Sequence, residues 1–268
     1  MCELFAISSS LPTEVSFSLD EFSKHGGLTD LHKDGWGIAH YDDNDARIVK
    51  ETCSASESAY LHFVKDHSIR SHIIISHIRL ATHGEVSIRN TQPFSRELGG
   101  NAHVFSHNGE LSGLEDIPGY HLKRFQTIGN TDSEKAFCYL MEKMAVVWDQ
   151  KNPPDLAQRR EVIEQFANEI RNCGIANFIY SDSDYIFIHS HKRRCLKDNK
   201  TILPGLYTLC RSCPASNPSK SISGLQLTNK NSKNVVLAAS VPLTGENWLA
   251  LEEGEIRILR GGHLVTDI

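Results

Sequence analysis

A cysteine stands second in the chain, directly after the initiator methionine. Aminopeptidases readily remove methionine before a small residue, which would leave Cys2 with a free α-amino group beside its thiol. Such an amine has an unperturbed pKa of about 7.7–8.0, so part of it is free base at neutral pH and can accept the thiol proton. Pairing a nucleophile with the N-terminal amine is one way to activate it. The alternative is a small residue buried in the first strand, which position alone favours.

A second polar group lies in the segment Ser76–Gly84, at the end of a predicted strand. Arg79 shares one face of that strand with His77, and apolar residues take the other face. A buried arginine requires an anionic partner, because an unpaired buried charge is very costly. A substrate carboxylate bound bidentately would serve, with Thr82 and His83 adding donors nearby. An internal salt bridge would serve equally well.

A third group, Asn108-Gly109, follows the predicted strand Ala102–His107. Asn-Gly is a turn signal in its own right. The same pair also places a side-chain amide beside a backbone N–H, the two donors that stabilise a tetrahedral oxyanion. No obvious partner strand follows Leu111, which weakens the interpretation as a hairpin turn.

The fourth group is Gly129–Glu134, just before a long amphipathic segment. Thr131 or Asp132 is a normal helix N-cap, with acidic residues in the first turn. Asp132 is equally suited to bind a substrate ammonium group. Capping and substrate binding are compatible, so the sequence does not separate them.

Metal binding has to be considered because the chain contains fourteen histidines. No HExxH or other established ligand spacing is present, and His72 and His77 fall on opposite faces of one strand. Cys210 and Cys213 form a lone CxxC, a weak zinc signal without a second pair. We therefore predict no metal site, and nothing in the sequence calls for a cofactor.

Strands and helices that would position these groups follow from the apolar spacing and the turn residues. Strands are predicted at residues 2–9, 35–41, 46–50, 72–81, 102–107, 176–180, 185–189, 206–211, 235–239, 255–260 and 263–266. Helices are predicted at residues 14–25, 57–67, 132–147 and 156–171. Strands, then a block of helices, then strands again indicate an α+β sandwich.

Composition places the chain among ordinary globular proteins, with 268 residues, 40% hydrophobic and 23% charged. No apolar run approaches the roughly 18 residues of a membrane span, and the N-terminus lacks the features of a signal peptide. The seven cysteines have no disulfide-like rhythm, so we expect reduced thiols and a cytoplasmic location. The net charge is −5, and the densest basic run, His191–Arg194, is predicted to be a solvated loop. Nucleic acid is therefore not an expected partner.

Taken in order, Cys2, Arg79–Gly84, Asn108-Gly109 and Asn130–Asp132 resemble the class II glutamine amidotransferase family. The similarity spans nearly the whole chain and is closest to the short stand-alone bacterial members of the YafJ type. Other segments that carry it are Met1–Leu4, His32–Gly37, Asn90–Phe94, Thr131–Phe137 and Pro242–Trp248. The resemblance implies one domain over residues 1–268, with the four-layer αββα sandwich of the N-terminal nucleophile hydrolases.

The resemblance also implies the reaction. Cys2 would attack a γ-carboxamide and form a γ-glutamyl thioester, with the freed α-amine acting first as base and then as acid for the leaving ammonia. Asn108 and Gly109 would form the oxyanion hole.

Substrate binding follows from the same resemblance. Arg79, with the backbone of Thr82–His83, would bind the α-carboxylate, and Asp132 would bind the α-ammonium group. One departure is visible, because Leu80 stands where several multidomain relatives carry tryptophan.

The acceptor of the ammonia is left open, since the chain has no room for a synthase domain. The enzyme is then a stand-alone glutaminase, a hydrolase of γ-glutamyl bonds in glutathione-like or ergothioneine-pathway compounds, or a glutaminase subunit of a separate synthase. A non-catalytic protein that binds γ-glutamyl compounds or a partner is the alternative of another class. A homodimer is also left open.

Overall fold

The structure is a computed structural model that describes residues 2–14, 22, 26, 33–61, 70–81, 84–148, 153–194, 200–213 and 233–266. The described strands are β1 (Glu3–Glu14), β2 (Trp36–Asp42), β3 (Asp45–Glu51), β4 (Arg70–Ile78), β5 (Phe94–Leu98), β6 (Asn101–Leu111), β7 (Gly174–Ser181), β8 (Ile186–His189), β9 (Arg193–Arg194), β10 (Thr201–Ile202), β11 (Tyr207–Cys213), β12 (Lys233–Ala239), β13 (Leu249–Ala250), β14 (Ile256–Arg260) and β15 (His263–Leu264). The longer helices are α1 (Asp132–Val147) and α2 (Leu156–Cys173).

The strands form two large antiparallel sheets. The seven-stranded sheet has the order β13-β11-β12-β1-β4-β2-β3, which places β1 at its centre. The six-stranded sheet has the order β15-β14-β8-β7-β6-β5. A separate two-stranded ribbon pairs β9 with β10. The first strand of the chain is thus hydrogen-bonded on both sides, to β4 and to β12.

Side chains of β1 alternate between two apolar layers, as the period of two in a strand requires. Leu4 and Ala6 pack between the two sheets, together with Val104 of the six-stranded sheet. Phe5 and Ile7 pack on the outer face of the seven-stranded sheet. Because both faces of the sheet are covered, the first part of β1 appears in the sequence as an unbroken apolar run, Leu4–Ile7, without alternation.

The helices cover the outer face of the six-stranded sheet. Phe137 of α1 and Phe166 of α2 pack against Phe105 and Phe178 of β6 and β7. The side chain of Asp155 begins α2 with a capping box.

On the other side, the outer face of the seven-stranded sheet packs against Phe22, Ala55 and Leu61. The architecture is therefore α+β, an αββα sandwich of the N-terminal nucleophile type, and the predicted fold class is confirmed.

Most predicted elements agree with the structure. The hairpin at 35–50 is β2 and β3, and the helix predicted at 132–147 has the bounds of α1. The first residue of the helix predicted at 14–25 is wrong, because Glu14 is the last residue of β1. Of the remaining residues of that helix, all but Phe22 lie outside the described residues. Of the helix predicted at 57–67, residues 62–67 also lie outside them.

Two strands are longer than predicted and several were missed. β1 continues to Glu14 and β6 continues to Leu111 through polar residues, because pairing with neighbouring strands outweighs local composition. The missed strand β5 pairs with β6 through a turn at Gly99-Gly100, where both glycines have positive φ. The missed strands β9, β10 and β13 have two residues each, which is too short for an alternation of apolar and polar residues to appear in the sequence.

Among the described residues no helix is long and apolar enough to cross a membrane. The two sheets are joined by hydrogen bonds as well as by apolar packing. The hydroxyl of Tyr41 on β2 donates to the carbonyls of Ala102 (2.9 Å) and Ser181 (3.2 Å) on the opposite sheet. These contacts fix how one sheet lies on the other.

A buried ion pair ties α2 to the turn between β7 and β8. Nη1 of Arg159 donates to Oδ2 of Asp182 at 3.0 Å, and its guanidinium stacks 4.9 Å from the ring centre of Trp148. The other carboxylate oxygen of Asp182 accepts from the backbone N–H groups of Asp184 and Tyr185. Loss of the arginine would leave a buried carboxylate without its cation.

We predict that Arg159→Met lowers the free energy of unfolding by about 3–5 kcal/mol, the usual cost of breaking a buried pair. The matched control is Arg160→Met, whose exposed partner Glu164 lies on the same helix surface. That control should change stability by less than about 1 kcal/mol. Urea unfolding of the three proteins measures both effects, and equal losses in the two variants would contradict the prediction.

Candidate active site

Cys2 lies immediately before the central strand β1, next to the end of β4. Its Sγ is 3.4 Å from the backbone nitrogen of Leu80 and 3.5 Å from the Leu80 carbonyl oxygen. Burial raises the pKa of the Cys2 thiol, with the Leu80 hydrogen bond acting in the opposite direction. Burial thus disfavours the thiolate, and attack by the sulfur is helped by a base that takes the thiol proton.

Arg79 follows β4 and is buried beside Cys2. Its Nη1 donates to the carbonyl of Glu85 at 3.1 Å and its Nη2 to the carbonyl of Gly84 at 3.4 Å. Burial lowers the pKa of the Arg79 guanidinium, while charges on Cys2 and Asp34 act to raise it. The carbonyls of Gly84 and Glu85 thus hold the guanidinium of Arg79 close to the end of β4.

Thr82 and His83, predicted to bind substrate, lie outside the described residues. Their described neighbours are anchored on both sides. The backbone nitrogen of Ala81 donates to Oδ2 of Asp34 at 2.8 Å. Gly84 has φ +73 and approaches Asn130 so closely that a Cβ would lie 2.9 Å from the Asn130 Oδ1.

Asn108 and Gly109 lie inside β6, so the interpretation of Asn-Gly as a hairpin turn is wrong. The strand continues to Leu111, and Gly109 pairs with Ala176 of β7. A Cβ on Gly109 would lie 1.7 Å from the carbonyl oxygen of Ile175. The glycine is required by the close approach of a neighbouring backbone and not by a turn.

Beyond Phe105, where pairing with β5 ends, one edge of β6 has no neighbouring strand among the described residues. Side chains form the hydrogen bonds of that edge instead. The side-chain amide of Gln92 accepts from the backbone nitrogen of His107 (2.6 Å) and donates to the His107 carbonyl (3.1 Å). Two residues beyond Gly109, the backbone nitrogen of Leu111 donates to Asp132 at 2.7 Å. Alternate residues of a strand direct their peptide groups to the same side, so the N–H and C=O of Gly109 face this edge.

Asp132 is the first residue of α1, and Thr131 is its N-cap, with Oγ1 accepting from Glu134 N at 3.2 Å. The Asp132 carboxylate accepts from Leu111 N through Oδ2 and from Ser133 N through Oδ1. Its charge also acts to raise the pKa of Cys2, although burial is the larger cause of that shift. The helix N-terminus, the end of β6 and the cysteine therefore lie in one region.

A cavity opens beside Asp132. It is lined by Leu111, Ser112, Leu114, Glu115, Asn130, Asp132 and Lys135. An ion pair between Glu115 and Lys135, 2.6 Å long, spans two of its walls.

Sequence reasoning missed the residues that hold the site together. The Asn90 side chain bonds to the side chain of Asn130 (2.9 Å) and accepts from its backbone nitrogen (3.0 Å), which joins two loops of the site. Ser240 contacts both Asn108 and Leu4. Asn90 and Gln92 lie within a segment that carried the family resemblance, but the type of Ser240 gave no signal of a role.

The basic run His191–Arg194 is not the solvated loop that was predicted. Asn177 of β7 holds it: the Asn177 amide accepts from His191 N (2.7 Å) and donates to the carbonyl of Lys192 (2.6 Å). His191 is buried, and Arg193 reaches the carbonyl of Ser240 at 2.6 Å. A polar anchor in a neighbouring strand fixes this run, which charge density alone does not reveal.

The described residues contain no group of three or more His, Cys, Asp or Glu side chains that is arranged to hold a metal ion. His77 is buried on the β4 face opposite the exposed His72. The chemistry available at the site is that of a thiol, an arginine, a carboxylate, an amide and backbone N–H groups.

Two stacked antiparallel sheets between helices, with a cysteine at the start of the central strand, define an N-terminal nucleophile fold. The sequence profile of the class II glutamine amidotransferases matches residues 1–268. The protein YafJ of Escherichia coli (strain K12) is 32% identical over 99% of this chain and 100% of its own length. The chain therefore belongs to the class II glutamine amidotransferases, a family of enzymes that act on the amide of glutamine.

Solved structures agree with this assignment. A predicted glutamine amidotransferase from Pseudomonas aeruginosa PA01 is 30% identical, covers 99% of this chain and 100% of its own, and superposes with a TM-score of 0.71. The glutamine phosphoribosylpyrophosphate amidotransferase of B. subtilis is 15% identical, with a TM-score of 0.60 over 99% of this chain and 49% of its own. At that identity the likeness shows the fold alone.

We predict that Gly109→Ala destabilises the protein by about 1–3 kcal/mol or more, because the new Cβ overlaps Ile175 O and must push β7 away from β6. Gly245→Ala is the matched control, since nothing lies within 4 Å of a Cβ there. Thermal and urea unfolding measure both variants. A Gly109→Ala protein as stable as Gly245→Ala would mean that the two strands are not held this closely in solution.

Proposed function

We propose that the protein is an N-terminal cysteine amidohydrolase that cleaves the γ-amide of glutamine, or of a related γ-glutamyl compound, through a γ-glutamyl thioester. One observation carries the proposal: Cys2, Arg79, the Asn108-Gly109 pair and Asp132 come from four separate segments and meet at one end of the two sheets. Each has a role that a γ-glutamyl amide requires.

The nucleophile is Cys2, freed by removal of Met1. Burial raises the pKa of its thiol, so the sulfur needs a base, and the adjacent α-amine takes the proton as the sulfur attacks the γ-carbonyl carbon. The carbonyl oxygen becomes an oxyanion, which the Asn108 amide and the Gly109 N–H stabilise. The C–N bond then breaks, the ammonium returns its proton to the leaving ammonia or amine, and water hydrolyses the thioester.

The amino-acid end of the substrate binds between an arginine and a carboxylate. Arg79 binds the α-carboxylate, assisted by the backbone of Thr82 and His83. Asp132 binds the α-ammonium group, and the carbonyl of Gly109 faces the same edge. The Asp132 carboxylate is preset for this task, because two backbone N–H groups already fix its orientation.

The proposal is tested by expressing the chain from its own start codon and measuring its intact mass. Retention of Met1 would rule out the free-amine mechanism. Purified protein is then assayed for release of ammonia or amine from glutamine, glutathione-like γ-glutamyl peptides and γ-glutamyl intermediates of the ergothioneine type.

We expect turnover of one of these substrates and its complete loss in Cys2→Ala. Cys53→Ala is the control, because Cys53 is an exposed cysteine with no role in the proposed reaction and should be dispensable. Turnover that survives in Cys2→Ala would refute the proposal. Absence of turnover with every substrate would count against a stand-alone hydrolase and favour a subunit that needs a synthase, or a binding protein.

Asp132 gives a second, independent prediction. Asp132→Asn should raise KM for the preferred substrate by roughly 10- to 100-fold, because a hydrogen bond between charged groups contributes about 1.5–3 kcal/mol. Glu115→Gln, on the other wall of the same cavity, should leave KM unchanged.

Glutaramate keeps the carboxylate and the amide of glutamine but lacks the α-amino group. With this substrate, Asp132→Asn and Glu115→Gln should have the same KM. Steady-state kinetics with both substrates separates the roles. An equal rise in KM for glutaramate would assign Asp132 to its structural contacts with Leu111 and Ser133 and not to the ammonium group.

A further inference from the structure

Ser240 connects the two sheets at the proposed active site. It follows β12 and is buried, and its peptide N–H donates to the carbonyl of Leu4 at 3.0 Å. Its Oγ accepts from the backbone nitrogen of Leu4 at 3.0 Å and lies 3.3 Å from the Nδ2 of Asn108. Its own carbonyl accepts from Arg193. The hydroxyl therefore stands between β1, which directly follows Cys2, and β6, which carries Asn108.

The amide of Asn108 is only half satisfied in this arrangement. Its nitrogen is directed at Ser240, and its oxygen Oδ1 is buried with no hydrogen-bond partner among the described residues. A buried polar atom without a partner costs about 1–3 kcal/mol. An oxyanion needs a hydrogen-bond donor. When substrate is bound, the amide nitrogen of Asn108 must therefore face the substrate, and the amide oxygen must face Ser240.

Ser240 has the proton that makes this orientation favourable. A hydroxyl offers one donor and two acceptor lone pairs. One lone pair accepts from Leu4 N, which is a donor that cannot reverse. The hydroxyl proton is then available to the amide oxygen of Asn108 after a half-turn of the amide, which directs Nδ2 away from Ser240.

We propose that Ser240 is a positioning residue for the oxyanion hole: its hydroxyl accepts from Leu4 N, donates to Asn108 Oδ1, and so turns Asn108 Nδ2 toward the substrate. This inference rests on the role given to Asn108 in the proposed function. Without the hydroxyl, the amide can face the oxyanion with its oxygen, which repels it. The same hydroxyl ties the amide to β1, two residues from the nucleophile.

The first test is kinetic, on the full chain with the substrate that the panel identifies. Removal of one oxyanion donor lowers kcat by about 10²–10³, and a donor that is present but disoriented should lose less. We therefore expect Ser240→Ala to lower kcat by roughly 10- to 100-fold with KM unchanged, since the interaction is made only in the transition state.

The matched control is Ser8→Ala. Ser8 is a buried serine on β1 whose Oγ also accepts from a backbone N–H, that of Gly262 in the other sheet at 3.1 Å, far along the strand from Cys2. It should lose stability as Ser240→Ala does, and keep kcat. Ser240→Cys, which keeps the side-chain volume but is a weak donor, should lie between wild type and Ser240→Ala.

A double variant separates positioning from general disruption. Adding Ser240→Ala to Asn108→Ala should slow the enzyme no further, because both changes remove one unit. If Asn108→Ala is slow but Ser240→Ala keeps the kcat of Ser8→Ala, the inference about Ser240 fails and the proposed function stands. If Asn108→Ala itself keeps full kcat, the proposed oxyanion role fails.

The second test does not depend on turnover. In ¹⁵N-labelled protein, the Asn108 side-chain amide is assigned by its disappearance in Asn108→Ala. The proposed orientation keeps its protons away from Ser240, so no nuclear Overhauser effect to the Ser240 β protons is expected. A clear effect between them would overturn the inference, whatever the kinetics show.

Discussion

The pairing of β1 with β4 in the middle of the seven-stranded sheet is the interaction on which the site depends. A residue at the start of a chain ordinarily has a frayed backbone. Here the chain pairs with β4 from Glu3 and with β12 from Phe5, and its apolar side chains are buried on both faces. The cysteine before it is therefore held in place by the interior of the sheet, and Leu80 at the end of β4 fixes its sulfur.

The six-stranded sheet supplies the other groups of the proposed site. Strand β6 brings an amide and a peptide edge to the same end of the sandwich, and α1 begins there with Asp132. Side-chain hydrogen bonds connect these elements at this point. Ser240 bridges Leu4 and Asn108, and Asp132 bridges β6 and α1. A small change in sheet stacking would therefore be felt directly in the distance between nucleophile and amide.

Much of this could be predicted from the sequence because the signals were local. The spacing of Phe137, Met141 and their neighbours gave the bounds of α1, and alternating apolar runs gave most strands. The order of the motifs gave the family, which the profile match and the full-length relatives bear out. The positions of Cys2, Arg79, Asn108 and Asp132 in one region were expected from that order.

Contacts between distant segments could not be predicted. Gly109 was predicted as an oxyanion donor, with a hairpin turn as the weaker alternative, and neither prediction reveals that the carbonyl of Ile175, 66 positions further on, requires a glycine there. The basic run at 191–194 was assigned to solvent because Asn177, its anchor, lies on another strand. The role of Ser240 also depends on contacts with distant segments, because a serine at the end of a strand indicates no function until its neighbours in space are known.

The edge of β6 beyond Phe105, which no described strand covers, has a consequence for how the protein behaves in a crowded solution. An exposed strand edge is a template on which other chains can add strands, and proteins usually block such edges. Here the peptide groups on either side of Gly109 are occupied by the Gln92 amide and the Asp132 carboxylate, leaving an interval of a single residue. A β-strand cannot pair along so short an interval, whereas a molecule the size of one amino acid can. The edge is thus protected against aggregation and kept accessible to a small ligand by the same two side chains.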